Sequence, residues 1–282
     1  MKYDATKPKT IVITGASDGI GAAAARRLHE LGHRVILVGR SPEKTARIAA
    51  ELGAPYHTAD YARLSDVMRL SDELARYDAI DVLANNAGGA QKERRLTGDG
   101  FELTFQINLL AQFLLTLRLS DKLAESRATV IQTSSIAANL FGADLDAADL
   151  QSEKNYTPFR AYGRAKLEDI LFTRELQRRY ADRGISAVAF EPGVVRTNFA
   201  SESTRGVRFA YHSPLKYLFT ISPKKSAERL VRLAVGTPGA DFTPGEVYSG
   251  KKPMTLKFTD PDGSAARTLW ETCETLLKPY LY

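Results

Sequence analysis

Thr14-Gly15-Ala16-Ser17-Asp18-Gly19-Ile20-Gly21 stands between a compact β-favouring run, Thr10–Thr14, and a stretch in which Ile20, Ala24, Leu28 and Leu31 recur at helical spacing. Gly32 supplies the helix stop. Strand, glycine-rich turn and helix in that order make a βα unit. Glycine reaches backbone angles closed to other residues and has no Cβ to block a phosphate. The free N–H groups and positive end of the following helix then favour a pyrophosphate. Gly15, Ser17, Asp18, Gly19, Ile20 and Gly21 are therefore candidate contacts to such a group. An ordinary βα turn can also carry three glycines, so this motif needs support from the rest of the chain.

Outward from that turn the same rhythm repeats. Strands are expected at Arg34–Val38, Pro55–Thr58, Ile80–Ala84, Thr129–Thr133 and Ile185–Phe190. Helices are expected around Glu43–Leu52, Leu64–Arg76 and Arg160–Tyr180, with one long helix through Phe101, Phe105, Leu109, Phe113 and Leu117. Strands alternating with helices of this length imply βαβ units and a parallel sheet covered on both faces. The expectation is an α/β, doubly wound, Rossmann-like single domain over residues 1–282, its regular part closing at Phe190. Two segments interrupt the rhythm, at about 136–158 and about 199–222. Loops beyond the carboxyl ends of parallel strands build the ligand crevice, so these segments are the expected walls of a substrate pocket.

Composition sets outer bounds. The chain of 282 residues is 44% apolar and 26% charged, as an ordinary globular protein is. Its net charge of +6 and pI near 9.3 lean toward anionic ligands, but the basic residues fall in scattered pairs such as Arg178-Arg179 and Lys224-Lys225. A nucleic-acid footprint would be a clustered stripe, so no such partner is expected. The single cysteine, Cys273, excludes an intrachain disulfide and fits a reducing compartment. Met1–Thr10 carries no signal-peptide core, and the most apolar stretch, Ile107–Leu117, is interrupted by Asn108 and Gln112. A cytoplasmic protein without an integral membrane segment is expected.

At the end of the second strand an acidic residue would hold the ribose 2′-hydroxyl of NAD. This chain has Gly39-Arg40-Ser41 there, with no carboxylate. An arginine can bind a 2′-phosphate bidentately, which favours NADP(H) over NAD(H). A solvated surface charge is the alternative for Arg40, and Asp18 in the glycine loop is a counterweight. Asp60, followed by Tyr61, comes after the third strand, where a carboxylate could accept from an adenine amino group or simply serve the next helix start. Asn85-Asn86-Ala87-Gly88 follows the fourth strand. Asn86, Ala87 and Gly88 could tie off strand-end backbone groups and line the cleft, and a plain turn would use similar residues.

Tyr162 and Lys166 lie four apart in a helical pattern and so share a face, one turn from each other. A phenol is a poor base near neutrality, and a nearby ammonium stabilises the phenolate. Ser134-Ser135 ends the fifth strand, where a hydroxyl could polarise a substrate oxygen. Pro192-Gly193-Val194-Val195-Arg196-Thr197 follows the sixth, where a nicotinamide carboxamide would need partners. Asn108 sits mid-helix among apolar residues, where its amide must find partners, whether in the core or at a site.

Together these residues resemble the short-chain dehydrogenase/reductase family: Thr14–Gly21, Asn85–Gly88, Ser135, Tyr162, Lys166 and Pro192-Gly193 stand in the family order. In finer detail Asp99-Gly100-Phe101-Glu102, Leu171-Phe172-Thr173-Arg174-Glu175-Leu176, Glu191–Thr197 and the long Ser135-to-Tyr162 separation resemble its retinol dehydrogenase-like branch. The resemblance implies that Ser135 orients a substrate carbonyl and Tyr162 transfers the proton. Lys166 would hold the nicotinamide ribose while tuning Tyr162, and Asn108 would support a water-linked proton relay through its backbone. Pro192, Gly193, Val195 and Thr197 would meet the nicotinamide end. Ala165 replaces the serine common before the lysine, and Ala138-Asn139 replaces a histidine-rich stretch of the branch, which loosens any inference about substrate. The expected partner is a small carbonyl or alcohol, lipophilic if the aromatic residues of Phe199–Ile221 form a lid rather than a packed helix. Relatives often form dimers or tetramers. Two rival readings remain here: a reductase of carbon–carbon double bonds, and an NADP(H)-sensing regulator without catalysis.

Overall fold

The computed structural model describes residues 8–143, 145–146, 149–193 and 221–281. Its centre is one sheet in the order β3-β2-β1-β4-β5-β6-β7-β8. These strands are β1 (Thr10–Thr14), β2 (Arg34–Gly39), β3 (Tyr56–Thr58), β4 (Val82–Asn85), β5 (Thr129–Thr133), β6 (Ser186–Glu191), β7 (Val247–Ser249) and β8 (Lys252–Pro253). All neighbouring pairs are parallel except β7 with β8. Every residue of β1, β4 and β5 is buried, as a parallel sheet with helices on both faces requires. The strand order runs outward both ways from β1 and β4, so the crevice of an open α/β sheet opens where these two strands end.

One face carries α1 (Gly19–Glu30), α2 (Pro42–Leu52) and α9 (Pro223–Val235), packed through Ala24, Leu28, Ile48, Leu230 and Ala234. The other carries α3 (Leu64–Leu74), α4 (Leu103–Phe105), α5 (Ala111–Arg118), α8 (Pro158–Tyr180) and α10 (Ser264–Leu281). The short helices α6 (Ser120–Glu125) and α7 (Ala137–Phe141) precede and follow β5. Local chemistry fixes the starts of three helices in one way. Ser41, Thr157 and Ser222 each accept from the backbone N–H three residues on, with Pro42, Pro158 and Pro223 at the first helical position.

Two expectations need correction. The long helix is not uniform: α4 passes through a π-helical turn, Gln106–Leu110, before α5, and Asn108 lies within that turn. Its apolar spacing continues across the turn, so periodicity alone could not reveal it. Nor does the regular part close at β6, since α9, β7, β8 and α10 follow. Leu269, Trp270, Cys273 and Leu277 bury one face of α10 against α5 and α8. Trp270 meets Phe113 edge-on at 4.8 Å between ring centroids and stacks on Phe172 at 5.7 Å.

Beneath this aromatic layer Glu168 of α8 is 1% exposed, and neither carboxyl oxygen has a hydrogen-bond partner among the described residues. Burial pushes its pKa well up, the charges of Asp169 and Glu102 add to the effect, and Arg164 opposes it. A carboxyl that keeps its proton in the fold but ionises in the unfolded chain, above about pH 4.5, loses stability for the fold as pH rises. Glu168→Gln is therefore expected to raise Tm, by a margin that widens from about pH 5 to about pH 8. In a domain of this size each kcal/mol moves Tm by roughly 2–4 °C. Melting curves with an equal difference at every pH would contradict this.

Candidate active site

The glycine loop is shaped by close backbone approach. Gly15 and Gly19 have φ of +67° and +56°. A Cβ on Gly15 would lie 3.0 Å from Ala87 Cα, and one on Gly21 would overlap the Gly15 carbonyl and come within 2.8 Å of Asn86 Nδ2. The turn after β1 is thus pressed onto the turn after β4. Thr14 Oγ1 accepts from the backbone N–H groups of Asn86 (2.9 Å) and Ala87 (3.0 Å), while Asn86 Nδ2 donates to the Thr14 carbonyl at 3.0 Å. These bonds tie off the strand ends. The cradle, which a single methyl would fill, fits a pyrophosphate at the start of α1. Asp18 caps that helix by accepting from Gly19 N–H at 2.7 Å, and Ile20 packs against the α1–α9 core.

Ser17 and Gly39-Arg40 border one another: a Cβ on Gly39 would lie 3.0 Å from Ser17 Cβ and overlap Thr45 Oγ1. Arg40 is exposed there, with no hydrogen bond or ion pair to a described residue. Asp60 uses Oδ1 to accept from Ala62 N–H at 3.1 Å, a turn-forming role at the approach to α3. The Tyr61 ring is buried in the core, and its carbonyl accepts from Gln106 Nε2 at 3.0 Å.

The chemical end is built where β5 meets α8. Lys166 is 4% exposed, and its Nζ donates to the Thr133 carbonyl at 3.0 Å and to Asp169 Oδ2 at 2.8 Å. Burial works against the ammonium, but the charges of Asp169 and Tyr162 outweigh it and raise the Lys166 pKa. Half-buried Tyr162 lies one turn before, with Lys166 Nζ 5.7 Å from its ring centroid. Ser134 is engaged in the scaffold: its buried hydroxyl donates to the Lys166 carbonyl at 2.6 Å. Ser135, half-buried, accepts from Ala137 N–H at 3.1 Å at the start of α7.

Gly88 joins this group to the glycine cradle. A Cβ there would lie 2.5 Å from Asn108 Oδ1 and 3.3 Å from Lys166 Nζ. The Asn108 amide is fully used: Oδ1 accepts from Gly89 N–H at 3.0 Å, and Nδ2 donates to the carbonyls of Gly89 (2.8 Å) and Thr104 (2.7 Å). Its side chain is therefore a clamp on the β4 turn. After β6, Gly193 adopts φ +82° and donates to Glu191 Oε2 at 2.7 Å, while the Pro192 carbonyl accepts from Ser226 Oγ at 2.8 Å. Val195, Thr197 and the second loop through residue 220 lie outside the described residues. Thr133 and Asp169 hold the site together but were not singled out from the sequence, and Thr14 and Glu191 stood there only as members of longer motifs. The i, i+3 spacing of Lys166 and Asp169 was the one available signal.

The family model described as "short chain dehydrogenase" matches residues 9–207. A protein of Streptomyces sp. (strain C5) named as a daunorubicin C-13 ketoreductase is 38% identical over 271 residues, covering 93% of this chain and 90% of its own. Human retinol dehydrogenase 13 is 34% identical over 274 residues, covering 93% and 82%. A crystal structure of an uncharacterized protein from Mycobacterium paratuberculosis matches with a TM-score of 0.73 at 29% identity, covering 99% and 98%. The chain belongs to the short-chain dehydrogenase/reductase family and is similar to its retinol dehydrogenase members. It is an oxidoreductase of that class. No helix among the described residues is long and apolar enough to cross a membrane.

Because a methyl on Gly21 would collide with backbone, Gly21→Ala is expected to weaken dinucleotide binding about tenfold or more, which corresponds to about 1.4 kcal/mol. Gly98→Ala, whose Cβ would meet nothing within 4 Å, should bind as the wild type does. Fluorescence titration with NADPH separates the two, and equal affinities would contradict the cradle.

Proposed function

We propose that this protein interconverts a carbonyl and an alcohol with NADP(H), and that Tyr162 is its general acid and base. The observation that carries the proposal is the buried Lys166 ammonium, pinned to the end of β5 and one helical turn from Tyr162. Gly88 sets it against the glycine cradle. When bound, the reduced nicotinamide supplies a hydride to the carbonyl carbon. Tyr162 Oη gives its proton to the developing alkoxide, and in the reverse direction the phenolate takes a proton from the alcohol. Lys166 stabilises that phenolate and keeps N–H capacity for a ribose hydroxyl. Ser135 Oγ donates to the substrate oxygen, and the Asn108 clamp fixes the β4 turn beside Lys166. By the family resemblance Pro192, Gly193, Val195 and Thr197 would meet the carboxamide.

Arg40, exposed and unpaired among the described residues, is the reason to favour a 2′-phosphate, and Ser17, beside the preceding Gly39, adds a hydroxyl donor. Asp60, at the turn after β3, would meet the adenine. The relatives named for retinol and daunorubicin support a lipophilic substrate, as do the exposed Ile136, Leu140, Phe141 and Phe159 in the segment between Ser135 and Tyr162. Neither double-bond reduction nor cofactor sensing draws support from these relatives. The single buried cysteine fits a cytoplasmic setting.

Tyr162→Phe should keep NADPH affinity and lose turnover by roughly 10²–10⁴-fold on a carbonyl substrate found by screening NADPH oxidation. An unchanged rate defeats the assignment. In the same assay NADPH should be preferred to NADH, and Arg40→Ala should erase most of that preference. Equal use of both by the wild type would overturn the reading of Arg40.

A further inference from the structure

Two acceptors hold Lys166, and only one of them is charged. Asp169 is 0% exposed on the inner side of α8, three residues beyond Lys166, with Oδ2 at 2.8 Å from Nζ. Its Oδ1 has no hydrogen-bond partner among the described residues. A carboxylate so placed does little for solubility and forms no cap. Its described side-chain contact is the ammonium itself.

We infer that Asp169 is a positioning residue for the reaction: it fixes the Lys166 ammonium against the Thr133 carbonyl and offsets part of its charge, thereby setting the pH at which Tyr162 changes between acid and base. The inference rests on the reading of Tyr162 and Lys166 given above. A lone ammonium buried to this degree sheds its proton unless an anion accompanies it. The groups acting on Lys166 are Asp169 and Tyr162, both on α8. From β5 and the π-helical turn the neighbours are Thr133, Ser134 and Asn108, all neutral. Glu168, the adjacent buried acid, answers instead to Asp169, Glu102 and Arg164, and its charge adds to the rise of the Cys273 thiol of α10. Burial raises the Asp169 carboxyl to about 6, with Lys166 pulling against the rise, so the pair is ionised at neutral pH.

Removing the anion has two effects in the same direction on the pH axis. The ammonium then acts on Tyr162 without a counter-charge, so the phenolate forms at lower pH. The ammonium also loses its own proton sooner, so activity declines at lower pH on the alkaline side. Asp169→Asn and Asp169→Ser are therefore expected to shift both limbs of the kcat/KM profile for alcohol oxidation downward, the acid limb by about one unit. A folded variant whose profile superimposes on the wild type would overturn the inference. Glu168→Gln, which removes a buried carboxyl not bonded to Lys166, should leave the limbs in place; an equal shift there would also overturn it. Full turnover in Tyr162→Phe would instead defeat the underlying reading, and so the two failures are distinct. One measurement needs no variant. The ¹⁵Nζ signal of Lys166 in the wild-type protein should remain that of an ammonium past about pH 10, and loss of its proton below about pH 9 would contradict the proposed pairing.

Discussion

A hydrogen bond from the Lys166 ammonium to the Thr133 carbonyl joins α8, the longest helix among the described residues, to the carboxyl end of a central strand. It is buried, so it exists only if helix and sheet pack correctly and only if the charge has a counter-ion. Packing is supplied by Leu167, Ile170, Leu171 and Phe172 against the sheet and α5, and later by Trp270 of α10. Charge is supplied by Asp169. Tyr162 stands a turn earlier on the same face, with its ring centroid 5.7 Å from Lys166 Nζ. The Ser134 hydroxyl closes the arrangement by binding the Lys166 carbonyl, which leaves Ser135 as the strand-end serine whose hydroxyl is not spent on that helix.

The second constraint is steric. The turns after β1, β2 and β4 each carry a glycine whose Cβ position another backbone or side chain occupies. Gly21 meets Gly15, Gly39 meets Thr45, and Gly88 meets Asn108 and Lys166. The glycine cradle and the Lys166–Tyr162 group are therefore parts of one packed surface. A change at Gly88 would be felt by the clamp and the ammonium together.

Much of this was legible in the sequence. The bounds of β1 and β5 follow from short apolar runs closed by turn residues, and the body of α8 follows from helical spacing around Arg160–Tyr180, while its Thr157-Pro158 start fell in the segment expected to be a loop. The π-helical turn was hidden because its apolar residues keep the helical phase on both sides. The elements after β6 were missed for a different reason. The three-residue β7 is a short run among Gly245 and Gly250, and α10 carries Pro279, which breaks the usual pattern of a helix interior. At the site, residue types and order could be read, but not which of two serines the scaffold consumes. Nor could the sequence show that the Tyr61 ring turns into the core or that Asp169 is buried with Lys166. Those depend on which side of a strand or helix faces the sheet, and chain contacts far apart in sequence decide that.

The central claim is electrostatic: a fixed ammonium makes one phenol a usable base. The most direct measurement is an NMR titration of Tyr162 carrying ¹³C at Cζ, in the complex with NADP⁺, in the wild type and in Lys166→Met. The account predicts that the wild-type phenol ionises below the ordinary value of about 10 and that loss of the ammonium returns it to that value or higher. Ionisation at about 10 in both proteins would contradict it.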